Sequence, residues 1–114
     1  MVQGQRASTF LRAPVLVRGI RLGEIEAVLL DEVEPRILGF DVLCGDGQNR
    51  FLPFPTVRLG AAGIELDSTL TLLDKRELDF YRARSRALSR VPELADARVE
   101  AGGELVQPLS TRLS

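Results

Sequence analysis

The side chains able to do chemistry in this chain are few. There is no histidine, and Cys44 is the only cysteine, so the proton shuttle that titrates near neutrality is missing and an internal disulfide or a cysteine-based zinc site is excluded. The carboxylates open to acid or base work are Asp31, Asp41, Asp46 and Asp67. Asp31 and Asp46 fall in turn-forming stretches, where a short carboxylate caps backbone N–H groups. Asp41 interrupts an apolar strand and is expected on its polar outward face, and Cys44 ends the same strand as a small buried hydrophobe with no base to activate it. The stretch CGDGQNR, starting at Cys44, has neither of the two glycine spacings that cradle phosphate, and reads as a hairpin turn. No catalytic residue, cofactor site or metal site is expected.

Positive charge is concentrated in one place. Residues 74–91 carry 6 basic and 3 acidic groups, whereas the whole chain has 15 basic and 16 acidic ones and a net charge of −1. At about 100° per residue, Lys75, Arg82, Arg86 and Arg90 line one side of a helix, and Leu78, Phe80, Tyr81, Ala83, Ala87, Leu88 and Val91 form a broad apolar arc on the other. Such a stripe grips phosphates or an acidic partner, with Tyr81 able to stack on a base. Asp79 lies within it and neutralises part of it, as on an ordinary solvated helix face. Lys75, Tyr81, Arg82, Arg86 and Arg90 are therefore the candidate interaction surface.

The elements that must hold this surface read mainly as strands. Pro14–Val17 is a short apolar run, and Gly19 and Gly23 bracket a basic turn leading into Leu22–Asp31. That second run starts half exposed, with Ile25, Ala27 and Leu29 on one face, and becomes apolar on both. The acidic, proline-containing turn Asp31–Arg36 leads to Ile37–Cys44, which is expected to pair antiparallel with it. Further runs at Arg50–Phe54, Thr56–Leu59, Ile64–Leu66 and Leu70–Leu73 follow at close intervals, with Pro53 and Pro55 confining the first of them to an edge or a strand end. Asp74 as N-cap and Glu77 three residues later then open a helix that continues to Val91, before Pro92. Beyond it, Arg98–Glu100 and Glu104–Val106 flank Gly102-Gly103 as a small hairpin would.

The order of glycine-bearing turn, LGEIEAVLLD, acidic turn, RILGFDVL, polar glycine-rich loop and FLPFPTV resembles the PRC-barrel family. The matching residues are Gly19, Leu22, Gly23, Ile25, Val28, Leu29, Leu30, Asp31, Ile37, Gly39, Phe40, Val42, Phe51, Leu52 and Pro53, and the resemblance spans roughly residues 12–73. It rests on structural positions, so what it implies is a fold and a mode of use: a compact antiparallel β-barrel acting as a docking module.

The expected architecture is mainly β, a small antiparallel PRC-barrel-like domain over residues 1–73, a single amphipathic basic helix over 74–91 packed on the barrel or on a partner, and a polar acidic tail over 92–114. The expected function is a non-enzymatic adaptor that binds another macromolecule, first of all a protein. An RNA- or ribosome-associated module using the basic stripe and a small-ligand-binding protein are the alternatives. Uncovered sheet edges point to a homo-oligomer. The short apolar runs and the lack of a secretory h-region predict no membrane span and no signal peptide, and the cysteine usage predicts a cytoplasmic setting.

Overall fold

Arg18 and Gly19 both adopt left-handed backbone, with φ of 51° and 80°, and this pair turns β1 (Pro14–Val17) tightly back into β2 (Ile20–Asp31). A computed structural model of the chain describes residues 4–107. Its β2 is 12 residues long and organises the rest. One side pairs antiparallel with β3 (Ile37–Cys44) along most of its length. The other side is shared: the entrance pairs with β1, Val17 facing Ile20 and Pro14 facing Glu24, and the exit is left free for a later segment. The exposure of β2 follows its sequence, wet at Ile20 and Arg21 and buried at Val28, Leu29 and Leu30.

β4 (Asn49–Pro53) follows β3 through a turn in which Gly47 has φ 84°. A 3-10 turn over Phe54–Thr56 leads into β5 (Arg58–Leu59) and β6 (Ile64–Leu66). The hydrogen-bonded path runs β4-β3-β2-β1-β6-β5, and the pairing of β6 with β1 is parallel. This corrects the expectation that every pairing is antiparallel. The tight hairpin uses one side of β1, and the chain reaches its other side only after the excursion from β4 through β5, arriving in the same direction as β1. Among the described residues no ladder joins β5 to β4. Part of the outer edge of β4 is taken by Leu73, which exchanges backbone hydrogen bonds of 2.9 and 2.8 Å with Phe51.

Leu70–Leu73 is expected as a strand and is instead a 3-10 turn over Thr69–Thr71, closed by the Ser68 side chain accepting from the Leu70 N–H, with Leu73 as the bridge to Phe51. The larger difference lies downstream. α1 covers Lys75–Arg82 only, and Ser85–Ala87 form β7, antiparallel to the exit of β2 with Leu29 facing Ala87 and Asp31 facing Ser85. The backbone groups that β1 leaves unpaired at that exit outweigh the helical spacing of the segment. Leu88 and Val91, read as part of one helical arc, enter the main core from a 3-10 turn over Leu88–Arg90 and its end. The N-terminus of α1 is as expected: Asp74 Oδ1 accepts from the N–H groups of Arg76 (3.1 Å) and Glu77 (3.3 Å).

Strand alternation divides the apolar residues between two clusters. Val28, Leu30, Phe40, Val42 and Leu52 face the main core, which also takes Phe10, Leu88, Leu94, Val99 and Leu105. That core therefore draws on all three stretches into which the sequence divides, and residues 92–107 are part of the folded unit. They are tied to the N-terminal segment by backbone bonds between Ala7 and Ala97 and between Val99 and Gln5. β8 (Arg98–Val99) and β9 (Leu105–Val106) form a two-stranded hairpin around Gly103. Residues 108–114 of the expected tail lie outside the described residues. On the opposite face of the sheet, Leu29, Phe51 and Leu78 form a second cluster with Ala27, Leu73 and Tyr81 around it, and this cluster is roofed by α1.

Candidate functional site

The covered outer face explains Asp41. It faces Ala27 on β2 and Phe51 on β4, so its side chain shares their side of the sheet, beneath α1, and it is only 5% exposed. An isolated carboxylate there would be costly. It is paired instead: Oδ2 accepts from Arg82 Nη2 (2.5 Å) and Nε (3.2 Å), and Oδ1 accepts from Asn49 Nδ2 (2.7 Å). The Asn49 amide also donates to Glu26 Oε1 at 2.6 Å. Arg82 is thus a clamp that holds the last turn of α1 to the sheet.

The other candidates on the stripe are separated by the same geometry. Lys75 Nζ donates to Asp79 Oδ2 at 2.9 Å, and Asp79 also approaches Arg82 at 3.8 Å. Arg86 lies on β7 and donates through Nε to the Asp31 carbonyl at 3.2 Å. Arg90 is exposed, at the end of the 3-10 turn that follows. Because α1 stops at Arg82, these four cations are not one helical stripe. Tyr81 is stacked on Phe51, ring centroids 4.1 Å apart and planes 7° from parallel, so that face of its ring is already covered.

A different row runs along α1 and into the turn that follows it. Arg76, Phe80 and Arg84 recur every four residues, and all three are exposed. Phe80 is 48% exposed. The Arg84 guanidinium carbon sits 3.8 Å from the centre of its ring, and Arg84 Nη1 donates to the Phe80 carbonyl at 3.1 Å. Among the described residues neither Arg76 nor Arg84 pairs with a carboxylate. The signal for this row was the repeat of four. Reading Phe80 as part of the apolar arc hid it.

Two turns carry perturbed carboxylates. The backbone N–H groups of Glu34 and Val33 hold Asp31 below the ordinary carboxylate range, and the Arg50 guanidinium together with the Gln48 N–H does the same for Asp46. Arg50 is raised in return, by its hydrogen bonds to Asp46 above all. Asp67 likewise raises Arg58, with which it pairs. Arg50 and Asp46 line a cleft of about 440 Å³ together with Arg21, Thr69 and Leu72, and Cys44 contributes to its wall. The Cys44 thiol is buried, 3.9 Å from the Val42 carbonyl. Among the described residues no three His, Cys, Asp or Glu side chains gather as a metal site, and no helix is long and apolar enough to cross a membrane. No protein-family model matches the chain, and no curated protein matches it.

Proposed function

We propose that the chain is a PRC-barrel-like, non-enzymatic interaction module that works in the cytoplasm and binds another protein through the exposed row of α1. The observation that carries this is Phe80, a large aromatic left half exposed between two guanidinium groups without carboxylate partners. Aromatic and arginine side chains dominate the binding energy of protein interfaces. The strands beneath supply a stiff platform, because Leu78, Phe51 and the Asp41–Arg82 pair fix α1 to the sheet. The glycine and aliphatic positions shared with the PRC-barrel pattern support the same reading, since a docking module needs a shape more than a reactive group.

The test is capture of proteins from a lysate on the immobilised chain, with Phe80→Asp as control. A specific protein that survives ribonuclease treatment and is lost with Phe80→Asp supports the reading. Capture that vanishes with ribonuclease, or that Phe80→Asp leaves unchanged, overturns it.

A further inference from the structure

The Arg84 end of the row has a complement beside it in the fold. The β2–β3 turn carries Glu32, Val33 and Glu34, all exposed, and Val33 at 85% is among the most exposed large hydrophobics in the described chain. This tip is held in shape: Asp31 Oδ1 accepts from the Val33 N–H at 2.8 Å and from the Glu34 N–H at 3.0 Å. Two carboxylates thus flank an aliphatic side chain, and along α1 and the turn after it two arginines stand four residues before and four after an aromatic one. The pairing of β2 with β7 brings the turn beside Arg84, at one end of the row. Asp31 faces Ser85, so Glu32 and Arg84 are the next residues beyond the last paired position. Within one chain the motifs nevertheless do not bind each other, since Glu34 has only Arg36 within 4.0 Å and Glu32 forms no ion pair among the described residues.

We propose that the turn Glu32–Glu34 of one copy docks on Arg76, Phe80 and Arg84 of a second copy, across a two-fold axis. Neighbouring, mutually complementary patches are what an isologous interface requires, because the axis then makes the same contact twice. Val33 meets the open face or edge of Phe80, and Glu32 and Glu34 meet the two unpaired guanidinium groups. The inference rests on reading the Phe80 row as an interaction surface, and names its partner as the chain itself. The patches are small, so the dimer is a weak one whose strength depends on salt.

Sedimentation equilibrium of the full chain at about 100 µM tests this, in about 10 mM salt, where charges act over about 30 Å, and in about 1 M salt, where they act over about 3 Å. A dimer at low salt whose dissociation constant rises at least about tenfold at high salt is expected. The variants Arg76→Glu/Arg84→Glu and Glu32→Arg/Glu34→Arg alter exposed positions and keep the circular dichroism of the parent. Each alone is monomeric, and their equimolar mixture recovers a dimer, because both contacts are then of opposite sign. A parent that is monomeric at both salts, or a mixture that stays monomeric, overturns the proposal. If self-association fails while Phe80→Asp still abolishes capture of another protein, only the identity of the partner is wrong. If Phe80→Asp changes neither, the reading of the surface falls with it.

Discussion

The Arg82 guanidinium closes over the Asp41 carboxylate, Nη2 to Oδ2 at 2.5 Å, joining a helix to a central strand across 41 residues of chain. The pair is asymmetric. Asp41 is 7% exposed in its side chain and Arg82 43%, so one charge is committed to the interior while the other keeps part of its hydration.

That asymmetry sets the cost of breaking it. Arg82→Ala strands a buried carboxylate and is expected to destabilise the fold by about 2 kcal/mol, below the figure for a fully buried pair because Arg82 is partly solvated. Replacing both partners by apolar residues of similar size, Asp41→Leu with Arg82→Met, costs less than the two single changes added together. Urea denaturation of the four proteins gives the coupling energy. A double variant as unstable as the sum of the singles would contradict the account.

How much of this was legible beforehand follows from the range of each interaction. The tight turn at Arg18-Gly19, the strand Ile37–Cys44 and the Asp74 cap are specified within a few residues, and the sequence displays them. Ser85–Ala87 is a strand only because β2 offers it unpaired backbone groups, with Arg86 55 residues from Asp31 in the chain, and nothing within the segment announces that. Asp41 shows the same limit. Alternation places it on the outer face, but that face is buried here by α1, whose position depends on long-range packing.

Gly39 is required by the ring that packs over it. A Cβ there would lie 2.5 Å from Phe51 Cζ and 2.5 Å from the Leu52 carbonyl oxygen, and backbone cannot step aside cheaply. Gly39→Ala is expected to cost about 2 kcal/mol, whereas Gly47→Ala, strained only by its φ of 84° in open space, costs about 1 kcal/mol. The denaturation midpoints of the two variants rank them, and a Gly47 variant that is the less stable of the two would refute the packing argument.

Acid should weaken the fold through Asp31 and Asp46. Both are held below their ordinary value of 3.8, so the folded chain binds these protons less readily than the unfolded one. Their contribution is complete above the unfolded value and is lost as the pH falls through the lower, folded values. Thermal midpoints measured from about pH 6 down to about pH 2.5 should therefore decline mainly below about pH 4. In Asp46→Asn that decline is shallower, because one of the linked protons is removed. An unchanged acid slope would exclude Asp46 from the linkage.

Tyr81 and Phe80 are neighbours with opposite duties, and substitution separates them. Tyr81 lies flat on Phe51, next to Leu78 and Leu29, so Tyr81→Ala removes a stacked pair and opens space over the second cluster, an expected loss of about 2 to 3 kcal/mol. Phe80 touches the edge of Tyr81, centroids 5.2 Å apart, and is otherwise half in solvent under Arg84. Phe80→Ser should cost about 1 kcal/mol, less than Tyr81→Ala, since about half of Phe80 already lies in solvent. Calorimetric unfolding of both variants distinguishes a side chain that holds α1 in place from one that α1 displays. If Phe80→Ser were as damaging as Tyr81→Ala, Phe80 would belong to the packing of the fold and its exposure would carry no meaning for binding.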